Sequence, residues 1–532
     1  MTEQKAGQLT RNQRLAFLAI LLAAILSRTV LLGRVPGGLH QDEAMAGYNA
    51  LSLLRYGKDS FGNPWPVYFT AWGSGMNVLE SWLQIPFFLL LGPCELAVRL
   101  PMAVFSLLSL LALFDLARRF GDNRFALFVF FLASVMPWHV MASRWALESN
   151  LAPLFILFGL WAFVRGLERP SWLPLSGLCY GLSLYAYATL WPVVPLMLAL
   201  QCLYGIRLKK LRLSGWSALA LAVLGLLALP LILFLLVNNG LMEEIRLPFL
   251  TIPRMVAYRG NEILSESVFK NLNQAAHVLA LGDAFPWHSI AGFGLYYLVS
   301  LPFIPIGVIV GGRRAWKAWK FRENNLDFYM LVIALAGFVL GCLIQVDAKR
   351  INVIHFSMTY FAARGIWMLV GKTTPRALAA AAAVYVLIFG FFEFRYFGDF
   401  RVQVSGLFRE GCGEALTFVK NNLADCKKVY LDLYWSPIGL PYSKAYFYLE
   451  EDVNTLTETI VFANDPDPFL EVVSFDRYVL KFEYENAADL SAAYMLETEA
   501  DHSPLVRDLM KNGYAVRDFG SYRVYYRESG VS

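Results

Sequence analysis

The sequence has few charged residues for its length. Asp, Glu, Lys and Arg make up 16% of the 532 residues, whereas soluble domains contain about 25%. Apolar residues make up 57%, and the mean hydropathy is +0.48. A soluble globular protein is therefore excluded for most of the chain, and a polytopic α-helical membrane protein is predicted. We expect membrane lipids among its partners and no nucleic acid.

Cysteine and histidine are also scarce, with six of each. Their spacing matches no metal-binding motif. Only Cys412 and Cys426 share a polar region. They could form a disulfide if that region faces an oxidising compartment, or they could be two free thiols. The other four cysteines are expected to pack in or beside apolar segments, and they are Cys94, Cys179, Cys202 and Cys342.

Long apolar segments recur along the first three quarters of the chain. A membrane span needs about 20 apolar residues, and by this measure about 11 transmembrane helices are predicted. They are 14–33, 97–117, 125–142, 150–166, 172–188, 190–206, 215–237, 290–310, 327–345, 352–371 and 376–394. The first is predicted to be a retained span, because no small-residue cleavage site follows it. Segment 78–92 is shorter and contains Pro86, so an interfacial or re-entrant helix is expected there.

Positive charge is concentrated in alternate loops. Pairs of adjacent basic residues lie at Arg118-Arg119, Lys209-Lys210 and Arg313-Arg314. Since Lys and Arg favour the cytoplasmic side, the N-terminus is predicted to be inside. Asp42, Glu148 and the end of the chain are then outside.

The composition changes after Arg395. Residues 395–532 contain 14 Lys and Arg against 22 Asp and Glu, a net charge of −8. Helical and strand patterns alternate there, with a helix at 413–423 and strands at 428–434, 472–482 and 522–527. Two domains are predicted: a transmembrane domain, 1–394, with outer surface helices in 34–96 and 238–289, and a small extracytoplasmic α/β domain, 395–532.

The first predicted outer loop places His40, Asp42 and Glu43 directly after a span. Residues of about 44–57 read as an amphipathic surface helix. Two adjacent carboxylates at this position fit a general base. They also fit a simple helix cap, because acids are favourable at a helix N-terminus.

Three further outer positions carry unusual residues. Arg144 and Glu148 occupy a short turn between spans and are either an i,i+4 ion pair or groups near a substrate. Lys349 and Arg350 open a late span, with His355 following. Their natural partner is a phosphate group, or else lipid headgroups. Arg254 and Arg259 are weaker candidates for a phosphate contact. Aromatic residues of the first outer loop, such as Trp65 and Trp72, suit either a sugar or the membrane interface.

Together these features resemble the GT-C class of polyprenyl-phosphate-dependent glycosyltransferases. The resemblance is to glycosyltransferase family 39, the protein mannosyltransferases and aminoarabinose transferases. It rests on Asp42-Glu43 after the first span, Glu148 in the second outer loop, and Lys349-Arg350 at a late span. Leu91-Gly92 and Glu95 to Pro101 are similar to the family's "FG…E…ARLP" signature.

This resemblance implies a GT-C fold and an inverting transfer from an undecaprenyl- or dolichyl-phosphate sugar to an acceptor hydroxyl at the outer face of the plasma membrane. It implies that Asp42 is the general base, that Glu148 is the second-loop acid, and that Lys349 and Arg350 contact the donor phosphate. His40 and Glu43 would orient Asp42. Some members of the wider class use a metal and others do not, so the resemblance leaves the cofactor open; Asp42 and Glu148 could hold a divalent cation such as Mg²⁺ or Mn²⁺.

One departure from the family is clear. The family's first loop usually carries a Lys-Pro-Pro whose Lys holds the lipid phosphate, whereas residues 72–80 contain no cation. Phosphate binding must then rest on other residues.

Two functions of other classes compete with this interpretation. A transporter or flippase of a lipid-linked or anionic solute would also place charges at these positions, but it predicts internal repeats, which the sequence lacks. A membrane scaffold presenting the C-terminal domain would leave Asp42 only a capping role.

Overall fold

The computed structural model describes residues 7–72, 74–258, 266–283, 285–371, 375–434, 442–463, 470–484 and 488–527. Its helices, in chain order, are α1 Arg11–Thr29, α2 Gln41–Tyr56, α3 Leu79–Leu91, α4 Glu95–Phe120, α5 Asn123–Val135, α6 Pro137–Ser143, α7 Leu151–Gly166, α8 Leu173–Ser183, α9 Leu190–Arg207, α10 Gly215–Asn238, α11 Val268–Leu281, α12 Phe303–Phe321, α13 Leu326–Leu343, α14 His355–Ile366, α15 Pro375–Arg395, α16 Arg401–Leu407, α17 Cys412–Asn422, α18 Tyr442–Leu449, α19 Val453–Thr459 and α20 Pro504–Lys511. Its strands are β1 Ile245–Leu247, β2 Leu250–Ile252, β3 Val429–Leu431, β4 Val461–Phe462, β5 Val472–Phe475, β6 Tyr478–Val479, β7 Ala493–Glu497, β8 Ala515–Asp518 and β9 Tyr522–Tyr526.

Many of these helices could cross a membrane. Among the described residues, eight are long and apolar enough, and nine if α5 and α6 form one span bent by 58°. The bend falls before Pro137, whose ring interrupts the helix. Nine of the eleven predicted spans therefore have a matching helix or bent pair. The exceptions are α1, which carries Arg14 and Arg28, and α8, which has 11 residues, so the count of eleven stays a prediction.

Two predicted boundaries are wrong. The span predicted at 290–310 forms turns as far as residue 297, and α12 continues to Phe321 through the predicted inner loop. The apolar pattern did not show that basic residues of 311–321 extend the helix. The span predicted at 172–188 contains a helix that ends at Ser183.

The first compact unit comprises Met1–Leu32, Arg99–Ile232 and Gly260–Gly398. It contains most of the apolar helices. Buried polar networks join them: Asp327 at the start of α13 accepts hydrogen bonds from Arg314, Tyr360 and Arg364 at 2.7–2.9 Å. Charged groups in such surroundings are stable only when they are paired.

The second compact unit comprises Gly33–Val98, Leu233–Arg259 and Asp399–Ser532. The domain boundary predicted at residue 394 lies close to Asp399, where the last segment of this unit begins. The unit also includes two segments of the predicted transmembrane domain, Gly33–Val98 and Leu233–Arg259. α2 packs against α18, and Tyr48 donates to the Glu451 carbonyl at 3.0 Å. The first predicted outer loop and the C-terminal region thus share one packing unit.

The C-terminal part of this unit contains a seven-stranded sheet in the order β4-β5-β6-β3-β7-β9-β8. β3 is parallel to β6 and β7, and the other pairs are antiparallel. α20 begins at the cap Ser503 and buries Leu505 and Leu509 against β7 and β9. The predicted α/β character and the elements at 413–423 and 522–527 are confirmed, while the strand predicted at 472–482 is a hairpin of β5 and β6.

Candidate functional site

The N-terminus of α2 resolves which residue caps this helix. His40 is the N-cap, and its Nδ1 accepts a hydrogen bond from the Asp42 backbone N–H at 3.2 Å. Glu43 Oε2 accepts from the His40 backbone N–H at 2.9 Å. This reciprocal pair is a capping box, built here with a histidine. The capping role considered for both acids therefore belongs to Glu43 and His40.

The Asp42 carboxylate remains available for other contacts. Its Oδ2 lies 3.6 Å from His40 Nδ1, and its side chain is 18% exposed. Among the described residues, His40 is the only side chain that pairs with it. An ionised carboxylate can accept several hydrogen bonds, so Asp42 has capacity to accept the proton of a hydroxyl group.

Glu43 is fully buried, in contrast to Asp42. Lys444 of α18 is buried in the same unit and donates to the Phe408 carbonyl at 2.7 Å. Burial lowers the pKa of Lys444, and the negative charge of Glu43 is among the groups that partly offset this shift. The surroundings favour a structural role for Glu43, and its predicted part in catalysis stays a prediction.

The aromatic residues of the same loop differ in their exposure. Trp65 is 42% exposed, whereas Trp72 is half-buried with its ring edge-on to Tyr442 at 5.1 Å. The Trp72 carbonyl accepts from the Leu470 backbone N–H at 3.1 Å. Trp72 is thus held by the C-terminal region, and sugar binding by it stays a prediction.

Asp59 organises the turn that precedes these aromatics. It is fully buried, and its Oδ1 accepts from the backbone N–H groups of Phe61 and Asn63 at 3.0 and 2.8 Å. Burial raises the pKa of Asp59 to about 6, although hydrogen bonds from Asn63 and Phe61 oppose the shift. The folded protein therefore holds the Asp59 proton more tightly than the unfolded chain does.

We predict a pH-dependent stability from this group. Because its folded pKa is raised, its contribution to stability is greatest below pH 4 and is lost as the pH rises from about 4 to 6, a change of about 3 kcal/mol. Asp59→Asn should flatten the fall in the apparent melting temperature over this window, measured in detergent. Asp425→Asn, at an exposed position, is the control, and an unchanged slope in Asp59→Asn would contradict the prediction.

In the predicted second outer loop, Arg144 is completely buried. Its guanidinium donates to the carbonyls of Ser27 and Val30 at 3.0 and 2.9 Å and to the Tyr396 hydroxyl at 3.2 Å. These contacts tie α1 to the end of α15 and favour a structural role over substrate binding. Glu148 begins a short 3-10 turn, Glu148–Asn150, and is half-buried.

The late-span cations have different surroundings. Arg350 lies 3.5 Å from the Asp347 carboxylate, and its guanidinium donates to the Gln345 carbonyl. Lys349 is half-buried and has no ion-pair or hydrogen-bond partner in the part of the chain that the structure describes. Of the two, Lys349 is therefore better placed to bind an anion.

The predicted substrate residue His355 is fully engaged within the protein. Its Nδ1 lies 2.5 Å from the Tyr296 hydroxyl, and its Nε2 lies 3.2 Å from the Ala348 carbonyl. Both ring nitrogens of His355 are therefore engaged, and neither is left for a substrate. Arg254 donates to the Met242 carbonyl at 2.9 Å, and Arg259 lies outside the described residues.

The cavity beside Lys349 was not predicted. Segments around α6, α7, the loop after α11 and the start of α14 build it, and all of them belong to the first unit. Its aromatic and polar lining includes Trp138, Trp145, Trp287, His288, Asn150 and Asn352. Trp138 and Asn352 are 214 positions apart in the sequence, so no local pattern could have identified these residues as a group.

Metal binding is not supported by a cluster of ligands. Within the described ranges, no group of three or more His, Cys, Asp or Glu side chains could hold a metal ion. Asp42 and Glu148 belong to different units. A divalent cation held by both stays a prediction.

Of the two alternatives left open for Cys412 and Cys426, the structure has free thiols, one buried and one half-buried.

Comparison with known proteins supports the resemblance found in the sequence. Residues 77–237 match the family model of dolichyl-phosphate-mannose-protein mannosyltransferase, and this range includes the motif at 91–101. No curated protein sequence matches the chain.

Two solved structures share the fold. The apo crystal structure of ArnT from Cupriavidus metallidurans is 14% identical, with a TM-score of 0.53 over 96% of this chain and 97% of that one. The same protein bound to undecaprenyl phosphate is 15% identical, with a TM-score of 0.55 over 97% and 98%. The predicted GT-C fold is confirmed, and the predicted resemblance to polyprenyl-phosphate-dependent glycosyltransferases agrees with the family model over residues 77–237.

Proposed function

We propose that the chain transfers a sugar, with inversion, from an undecaprenyl- or dolichyl-phosphate donor to an acceptor hydroxyl at the outer face of a plasma membrane. The observation that carries this proposal is the Asp42 carboxylate. It stands at a helix start whose capping is already supplied by His40 and Glu43, and it keeps its acceptor capacity. The fold shared with a protein bound to undecaprenyl phosphate supports the donor class.

Asp42 would act as the general base. It accepts the proton of the acceptor hydroxyl while the oxygen bonds to the anomeric carbon, and the bond from that carbon to the phosphate oxygen breaks. His40 Nδ1 accepts from the Asp42 backbone N–H and so fixes the backbone that carries the carboxylate.

The departing lipid phosphate gains negative charge as this bond breaks. Cations placed on it lower the barrier because they bind the transition state more strongly than the ground state. Lys349 has no competing partner among the described residues and is the stronger candidate for this role. Arg350 is a weaker one, since Asp347 lies beside it.

A donor panel tests the proposal. Membranes containing the full chain are incubated with labelled sugars on undecaprenyl or dolichyl phosphate, and transfer to endogenous acceptors is measured against membranes that lack the protein. We expect protein-dependent transfer from at least one donor, with inversion at the anomeric carbon. If no donor supports transfer while labelled lipid-linked sugar crosses the bilayer, the transferase proposal fails and the flippase alternative replaces it.

A further inference from the structure

The cavity beside Lys349 has the size of one compact polar group. Its volume is about 40 Å³. A water molecule needs about 10–15 Å³ measured in this way, so the cavity holds about three waters. A phosphate group suits this space.

His288 lines this cavity and is held in one orientation. Its Nδ1 lies 2.5 Å from Asp283 Oδ2. Asp283 also accepts from the backbone N–H groups of Ala348 and Phe285 at 2.9 and 3.0 Å. Burial raises the pKa of Asp283. The hydrogen bond and the charge of His288, together with the two backbone N–H groups, outweigh burial, so the pKa of Asp283 is lowered below its ordinary value. Asp283 is therefore ionised, and His288 Nδ1 must carry the proton that it receives.

The second nitrogen of His288 is left without a partner. The side chain is 4% exposed, and no hydrogen-bond partner of Nε2 is found among the described residues. A buried polar atom in this state costs about 1–3 kcal/mol. Such an atom beside a cavity points to a ligand that completes the hydrogen bond.

Lys349 supplies a positive charge to the same cavity. The other histidine in the lining, His355, has both nitrogens engaged by Tyr296 and Ala348. The side chains of Asn150 and Asn352 donate to backbone carbonyls. Among these histidine, asparagine and lysine side chains, His288 Nε2 and Lys349 Nζ are therefore the groups that we assign to a ligand.

We propose that this cavity is an oxyanion site of phosphate size, in which Lys349 and His288, oriented by Asp283, bind the phosphate oxygens. In the complex His288 carries a proton on Nε2 and donates it in a hydrogen bond, and the Asp283 carboxylate stabilises the imidazolium. Identification of this phosphate with that of the donor lipid rests on the proposed function. Residues 72–80 lack the cation that holds the lipid phosphate in the family, and this site would supply a phosphate contact in its place.

Binding of a lipid phosphate without sugar tests the site. The full chain in nanodiscs is titrated with undecaprenyl phosphate and, separately, with undecaprenol, and intrinsic tryptophan fluorescence is followed because Trp138, Trp145 and Trp287 line the cavity. Loss of one charge-assisted hydrogen bond should weaken binding by about 10- to 100-fold. We expect this loss in His288→Ala and Lys349→Met for the phosphate lipid alone.

Matched variants on α11 serve as controls. His277→Ala and Lys270→Met remove the same residue types at exposed positions and should bind as the wild type does. His288→Gln keeps a donor and should lose less than His288→Ala, which separates a lost contact from a misfolded protein. Competition by inorganic phosphate in the wild type would show that the site accepts any phosphate, and its absence would restrict the site to the lipid.

Two results would overturn the site: wild-type affinity of both His288→Ala and Lys349→Met, or equal binding of undecaprenyl phosphate and undecaprenol by the wild type. Failure of sugar transfer from every donor would instead reject the proposed function and leave this binding result standing.

Discussion

Asp42→Asn is expected to lower sugar transfer by about 10²- to 10⁴-fold, the usual contribution of a positioned general base. The amide keeps the size of the side chain but cannot take the acceptor proton. The helix start should survive, because His40 and Glu43 make the capping contacts. Affinity for undecaprenyl phosphate should stay within about twofold of the wild type, since the base acts on the acceptor. Initial rates with the active donor of the panel, at matched protein levels, measure the effect.

A second aspartate in the same compact unit provides the control. Asp452 caps α19 and accepts from the Asn454 backbone N–H at 2.8 Å. Asp452→Asn makes the same chemical change at a helix start, and Asn caps about as well as Asp. Transfer by this variant should match the wild type. Equal transfer by Asp42→Asn and the wild type would remove Asp42 from catalysis and reduce it to a residue of the first helical turn.

The site at α2 was partly predictable because its signals are local. Two acids after a span, followed by an amphipathic pattern, indicated a helix start and two alternative roles. The structure divides the contacts at the helix start: His40 and Glu43 make the capping contacts, and the Asp42 carboxylate makes none of them, a division that the sequence could not give. The division depends on the backbone at His40 and on the burial of Glu43 beside α18, about 400 residues later in the chain.

Features that depend on distant pairing were missed. Arg144 looked available for a substrate, but its acceptors lie on α1 and at the end of α15. The dyad of Asp283 and His288 lies in a segment where only Arg254 and Arg259 were predicted as site residues. Membrane spans were largely recovered because apolar length is sufficient to identify them. Polar groups inside a helical bundle carry no comparable pattern.

Asp327→Asn is expected to lower the free energy of unfolding by about 3–5 kcal/mol, the usual cost of removing one partner of a buried ion pair. The carboxylate is 1% exposed and pairs with Arg364, whose side chain is 9% exposed, and with Arg314. Tyr360 also donates to it at 2.9 Å. An amide leaves the Arg364 charge buried without a counter-ion. Thermal unfolding in detergent, followed by circular dichroism, measures the loss.

Asp115→Asn serves as the control that separates the effect of burial on stability from the effect of ion pairing. Asp115 also binds two arginines, Arg119 and Arg165, but its side chain is 32% exposed. Water can solvate those arginines after the change, so a smaller loss is expected, because partly exposed pairs contribute less. The double variant Asp327→Asn with Arg364→Gln should recover part of the stability, since it removes the unpaired charge. A melting temperature of Asp327→Asn equal to that of the wild type would show that water enters this network and that burial does not set its strength.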